Sequence, residues 1–168
     1  MIDSKMQEAL NGQINAELYS AYLYLSMSAF YESQDLRGFA NWMRVQFQEE
    51  LAHAMKFYDH VNERDGRVIL QAVEGPPSEW DSARVPFEAA YQHEQKISDM
   101  INKLADLAIQ LRDHATHNFL EWFVAEQVEE EAAVKEIVQK LKLVGDSGEG
   151  VFLMDRELAQ RVFTPPAA

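Results

Sequence analysis

Apolar residues recur every three or four positions in four long stretches of this chain, the period of amphipathic helices packed on a common core. Over residues 4–32 there is no proline, and Leu10, Ile14, Leu18, Ala21, Leu25 and Met27 keep that spacing, which predicts a first helix. Ser33, Gln34 and Asp35 form a polar break in which Asp35 is the expected N-cap. Phe39, Met43, Phe47, Ala54, Phe57 and Val61 then trace a second helix that ends near Gly66. Ser82 is the expected cap of a third helix running to about Arg112, with Pro86 tolerated because first-turn amides have no partner inside a helix. Asp113 reads as the cap of a fourth, which carries Phe119, Leu120, Phe123, Val134, Ile137 and Leu141 to a glycine-bearing break at residues 145–148. A shorter amphipathic stretch, residues 151–161, ends at Pro165 and Pro166.

Between the second and third helices, residues 67–81 hold Gly75, Pro76 and Pro77 and show no clear period. Extended, such a stretch spans about 50 Å, against about 42 Å for a helix of roughly 28 residues, so it can run the full length of a bundle. The prediction is an all-α protein: an antiparallel four-helix bundle with one long crossover loop and a short C-terminal fifth helix. Residues 1–145 form the bundle, and residues 146–168 a short helix and tail of the same domain. The 168 residues, 47% of them hydrophobic, are enough for one buried core. There is no internal repeat and no low-complexity tract.

Four positions break the apolar stripes with a carboxylate. Glu17 lies among Leu10, Ile14, Ala21 and Tyr24; Glu50 among Met43, Phe47, Ala54 and Phe57; Glu94 among Phe87, Ala90, Ile97 and Ile101; Glu130 among Phe123, Val134 and Ile137. His53 follows Glu50 by three positions, so both side chains face the same way about one turn apart. In an antiparallel hairpin, residues equidistant from the turn lie at one height. Glu17 and Glu50 are centred between Ser33 and Gln34, and Glu94 and Glu130 are centred on Arg112, both in predicted turns. Each uncompensated buried charge costs several kcal/mol, a large share of the 5 to 15 that a domain typically retains; protonation, mutual hydrogen bonding or bound cations can offset it, and the histidine within reach makes cations the expected partners. A formal charge of −13 argues against nucleic acid and anionic membrane surfaces, and the lack of cysteine excludes thiolate metal sites. Carboxylate oxygens with one imidazole suit iron or manganese. Glu17, Glu50 and His53 are expected to form one site and Glu50, Glu94 and Glu130 a second, with Glu50 bridging a dinuclear centre.

These residues carry a resemblance. Asn15-Ala16-Glu17 with Ser20-Ala21-Tyr22-Leu23-Tyr24, Glu49-Glu50-Leu51-Ala52-His53-Ala54, Glu94, and Val124-Ala125-Glu126-Gln127-Val128-Glu129-Glu130-Glu131 make the chain similar, over nearly its whole length, to the prokaryotic non-haem ferritins. The resemblance implies iron storage and detoxification, with Fe(II) oxidised by dioxygen or peroxide at a di-iron ferroxidase centre. Mineral would then be deposited inside a self-assembled shell, commonly of 24 subunits. It implies that Glu17, Glu50, His53, Glu94 and Glu130 are the paired iron ligands, that Glu49, Glu126 and Glu129 match a third iron position, and that Tyr24 and Gln127 stand beside the centre. Leu51 stands where the related haem-binding proteins carry a ligating Met, and helix four has Gln127-x-x-Glu130 in place of a second Glu-x-x-His, so no haem is expected. Two other readings compete: a passive iron-binding cage without fast ferroxidase activity, and a dimetal carboxylate oxidase acting on an organic substrate.

Plainer expectations cover the remaining polar and aromatic groups. Trp42 and Trp122 are expected to be packing residues, His60 and His93 to be surface histidines, and Glu131 to be solvated. His114, His117 and Glu121 share one helix face and form a candidate for iron entry. The N-terminal residues lack a signal pattern and no apolar run reaches the length of a membrane span, so a cytoplasmic protein is expected.

Overall fold

The computed structural model describes residues 2–165; Pro166, at the expected end of the last amphipathic stretch, lies outside the described residues. Among these described residues five helices follow in order: α1 Ser4–Ser33, α2 Arg37–Glu63, α3 Val85–Gln110, α4 His114–Val144 and α5 Gly148–Leu158. The hairpin partners α1 with α2 and α3 with α4 pack along each other, and α5 packs on α2 and α4. Both predicted turns fall where expected, at residues 34–36 and 111–113, so Glu17 lies level with Glu50 and Glu94 level with Glu130.

The crossover, residues 64–84, runs the length of α1 and is held there by α1 side chains. Asn11 Nδ2 donates to the Arg67 carbonyl at 3.0 Å, and the Asn11 side-chain oxygen accepts from the Ile69 amide at 2.8 Å. Further along, Asn15 Nδ2 donates to the Ala72 carbonyl, Ser26 Oγ to that of Pro77, and Tyr31 OH to that of Ala83. Those donors stand in for the ladder that an irregular segment lacks. From Asn11 to Tyr31 the helix rises about 30 Å.

The core is split into two apolar clusters. One holds Tyr24, Met27, Tyr31, Phe39, Met43, Phe87, Val134 and Met154. The other holds Met6, Leu10, Ile14, Phe57, Ile97, Ile101, Leu120 and Phe123. Along each bundle helix the glutamate falls in the gap between them: Glu17 after Ile14, Glu50 between Met43 and Phe57, Glu94 between Ala90 and Ile97, Glu130 between Phe123 and Val134. A polar layer thus lies between two apolar layers.

Several local expectations are corrected. Asp35 does not cap α2; it takes a left-handed conformation, φ 58°, and the N-cap position is Leu36, which offers no side-chain acceptor. Ser82 does not cap α3, which begins at Val85 after Arg84. Asp113 does cap α4, accepting from the Thr116 amide at 3.1 Å. The last helix starts three residues earlier than its apolar pattern suggests, because Ser147 caps it through the Gly150 amide. Leu25, assigned to the α1 core stripe, is 39% exposed. His60, expected on the surface, is buried: its ring stacks on Phe119 at 4.0 Å and its Nε2 pairs with Thr116 Oγ1 at 3.1 Å.

Candidate metal centre

Glu17, Glu50, Glu94 and Glu130 are between 1% and 5% exposed, and His53 is 2% exposed. Among the described residues, two groups of ligand atoms converge within 4.8 Å of one another: Glu17, Glu50 and His53, and His53, Glu126 and Glu130. His53 Nδ1 lies 3.5 Å from Glu50 Oε2. The imidazole is walled by the edges of Trp122 and Phe123, with ring centroids at 5.5 and 5.8 Å, which fixes its plane. Trp122 is therefore a packing residue against the ligand itself, and Trp42 packs on Phe87 in the other cluster.

Two glutamines, not singled out in the sequence, complete the layer. Gln46 Nε2 donates to Glu50 Oε1 at 2.9 Å and to Glu130 Oε2 at 2.8 Å, joining α2 to α4. Gln13 Nε2 donates to Glu17 Oε1 at 2.7 Å. Each precedes its glutamate by four residues, so a glutamine one turn before a carboxylate inside an apolar stripe was the available signal. On the other side, Tyr24 OH donates to Glu94 Oε1 and Gln127 Nε2 donates to Glu94 Oε2 at 3.1 Å. Tyr24 and Gln127 thus both hold Glu94, which belongs to neither converging group. Ser98 bonds to Gln127 at 3.3 Å and to Glu131 at 2.5 Å, so Glu131 is only partly solvated.

The electrostatics follow from burial. Burial pushes the Glu17 carboxyl well above the usual carboxylate range, and the neighbouring Glu50 charge adds to it. Glu130 is raised well above that range by burial and by the charges of Glu94 and Glu50. Glu94 is raised to about 8 by burial, with Glu50 next, against the hydrogen bonds from Tyr24 and Gln127. Glu50 goes the other way. Burial opposes its charge, but the His53 hydrogen bond and charge outweigh burial and hold it below the usual range. Burial likewise disfavours charged His53, and Glu50 overcomes it, raising the imidazole to about 10. Burial thus favours the neutral forms of Glu17, Glu94 and Glu130, while the contact between Glu50 and His53 favours the charged form of both.

Among the described residues, two buried side-chain atoms have no hydrogen-bond partner: Glu17 Oε2 and Gln46 Oε1. Buried acceptors are seldom left so, and a cation beside Glu17 and Glu50 would satisfy the first. The donor set of carboxylate oxygens and one imidazole fits iron on chemical grounds.

The residues matched to a third position are less alike. Glu126 is half-buried and converges with His53 and Glu130. Glu49 is half-buried and ion-paired with Arg161 at 2.5 Å. Glu129 is exposed on α4. His93 is half-buried with Nε2 at 2.7 Å from Ser20 Oγ, and burial lowers its pKa. On the face suggested for entry, His117 Nδ1 is 3.9 Å from Glu121 Oε1 and His114 is exposed; among the described residues these three form no converging group.

Residues 7–144 match the family model described as ferritin-like domain. The chain is 42% identical over 161 residues to a bacterial non-heme ferritin of Bacteroides fragilis, covering 96% of this chain and all of that one. It is 41% identical over 159 residues to the bacterial non-heme ferritin of Escherichia coli, covering 95% and 96%. Among solved structures, an Archaeoglobus fulgidus ferritin engineered into a closed form is 57% identical, with a TM-score of 0.96, covering 98% and 100%. An open-pore ferritin from the same archaeon is 57% identical with a TM-score of 0.95, covering 96% and 99%. Among the described residues, no helix is long and apolar enough to cross a membrane.

Proposed function

The chain belongs to the ferritin-like domain family, and from that membership we propose that it stores iron by oxidising Fe(II) to Fe(III) at the buried polar layer and depositing ferric mineral inside a hollow shell of its own copies. The observation that carries this reading is the convergence of Glu17, Glu50 and His53 in a core where Glu17 Oε2 has no partner. Two Fe(II) ions each yield one electron, together reducing one dioxygen to hydrogen peroxide, or one hydrogen peroxide to two waters, with two protons taken up from solvent in either case. Glu17, Glu50 and His53 hold the first ion; Glu50, Glu94 and Glu130 hold the second, with Glu126 within reach of His53 and Glu130. Tyr24 and Gln127 orient Glu94, and Gln46 keeps Glu50 and Glu130 in register. As charge builds on the metals, the carboxylates offset it. The imidazole favours Fe(II) at the first position, and the all-oxygen position favours hard Fe(III). The shell has 24 subunits in this reading, residues 1–145 being the bundle and residues 146–168 its appended helix and tail, and it works in the cytoplasm.

The test is anaerobic Fe(II) titration of the metal-free protein and its Glu50→Ala variant, then stopped-flow mixing with oxygen. Two or three ions per subunit and a fast oxidation lost in the variant support the reading. Slow oxidation identical in both leaves a passive acidic cage. Glu130→Ala should weaken the second ion while sparing the first.

A further inference from the structure

Beyond α5 the chain turns back over α2 and is fastened there. Asn41 Nδ2 lies 3.3, 3.4 and 3.0 Å from the carbonyls of Leu158, Ala159 and Arg161. The Arg161 guanidinium lies over the Trp42 ring at 4.1 Å, its Nη1 reaches the Trp42 carbonyl at 3.4 Å, and its Nη2 donates to Glu49 Oε2 at 2.5 Å. The two charged side chains are 22% and 21% exposed. A planar fork that stacks on an indole while pairing a carboxylate is held in one geometry, unlike an exposed surface ion pair.

What this fork occupies is the acidic flank of the metal layer. Glu49 directly precedes Glu50 and feels the charges of Arg161, Glu50, His53 and Glu126. Glu126 already converges with His53 and Glu130. Glu49 does not enter that group; its Oε2 is turned to a cation supplied by the chain's own tail.

We propose that Arg161 is a built-in counter-ion that withholds Glu49 from metal and so sets how many divalent cations the centre takes, a further cation gaining Glu49 only by displacing Arg161 from Trp42. This rests on the reading of the layer as a metal centre. While the fork is in place the centre holds its pair of ions. A third cation near Glu126 competes with the guanidinium for Glu49, and its arrival frees the tail beyond Leu158. Arg161 is a positioning residue: it touches neither of the paired ions and acts through Glu49.

The experiment uses Zn(II), which undergoes no redox change, titrated into the assembled metal-free protein by calorimetry and by tryptophan fluorescence. In the parent, two ions bind per subunit, followed by a weaker third whose binding changes the emission of Trp42, a change that Trp42→Phe lacks. In Arg161→Gln the third step tightens by about fivefold to tenfold and the pair is unchanged. Arg161→Lys, which retains a cation, returns the third step toward the parent value, and Glu49→Gln removes it in either background. Equal third-step affinity in the parent and Arg161→Gln, or a third ion that binds the parent without changing Trp42 emission, overturns the proposal; the second outcome decides it even if Arg161→Gln fails to assemble. If the parent binds no pair at all, the metal-centre reading itself fails, and this outcome is distinct because it precedes any effect of Arg161.

Discussion

Asp155, on α5, caps α2 at Gly38: its Oδ1 accepts from the Gly38 amide at 2.7 Å and from the Phe39 amide at 3.1 Å. The first turn of α2 has no acceptor of its own, since Leu36 provides none, and the carboxylate also lies at the positive end of the helix dipole. The approach requires glycine. A Cβ at Gly38 would stand 1.7 Å from the Asp155 carbonyl oxygen, a backbone atom that cannot move aside cheaply. Asp155→Ala should lower stability by about 1–2 kcal/mol, and Asp155→Asn by less, as read from denaturant or thermal unfolding. Gly38→Ala should exceed both, because it separates α5 from α2. A Gly38→Ala protein as stable as the parent would contradict this packing.

Gln46 joins Glu50 to Glu130 yet leaves its own carbonyl without a partner. Gln46→Met, of similar size, removes that unpaired acceptor and also the two bonds that orient the carboxylates. Metal-free stability should fall by about 1–3 kcal/mol, because Glu50 Oε1 and Glu130 Oε2 lose their shared donor, while Fe(II) oxidation should slow by roughly tenfold or more, the usual effect of losing a group that positions a ligand. Stopped-flow kinetics beside a thermal melt separate the two. Unaltered oxidation would mean that Glu50 and Glu130 need no such brace.

The pH dependence of the metal-free protein has a definite sign. Glu17, Glu94 and Glu130 have folded pKa values above their unfolded ones, Glu94 at about 8, and His53 is raised to about 10. Stability from such groups is complete below the unfolded pKa and is lost as pH rises through the folded pKa. The melting temperature should therefore fall between about pH 5 and pH 10. A bound divalent cation displaces these protons, so its affinity should rise with pH over the same interval and its binding should release protons. Calorimetry in buffers of different ionisation enthalpy counts them, and saturating metal should restore about 3 kcal/mol at a hundredfold excess over Kd. A melt that is flat with pH would show that the carboxyls are not protonated.

At the opposite end of the bundle, Asp113 ties α4 to α2. Its carboxylate accepts from the Thr116 amide and hydroxyl and from Arg64 Nη1 at 2.8 Å, while Arg64 also reaches Thr116 Oγ1 at 3.1 Å. Burial alone would raise the Asp113 pKa; the bonds from Arg64 and Thr116 hold it below the usual range. That stability is present above the unfolded pKa and is lost as pH falls through the folded one. Asp113→Ala should cost about 1–2 kcal/mol near neutrality, from the lost cap, and the gap from the parent should close below about pH 4. A gap that persists in acid would assign the effect to packing.

The helices, the crossover and the height of the four glutamates were legible because each is a local or symmetric property. Helical spacing marks a stripe, a proline-bearing aperiodic stretch marks the crossover, and equal distance from a turn places Glu17 beside Glu50 and Glu94 beside Glu130. Asp35 and Ser82 misled because a polar residue before a helix is a common cap, yet both helices start later than these residues. Leu25 kept the spacing of the stripe but faces solvent; hydrophobicity marks what can be buried, not what is. His60 looked like a surface residue because nothing nearby in sequence announces Phe119 and Thr116 across the bundle.

By itself the sequence determined the bundle and the presence of four carboxylates and a histidine in its core, because periodicity is set by residues a few positions apart. Tertiary structure alone decided which groups hold them. Gln46 reaches Glu130 across 84 positions, Asp155 caps a helix 117 positions before it, and Arg161 claims Glu49 from 112 positions away. Such pairings depend on where folding brings the backbone, and a hydrogen bond or ion pair, effective only over a few ångströms, leaves no period in the chain by which to foresee it.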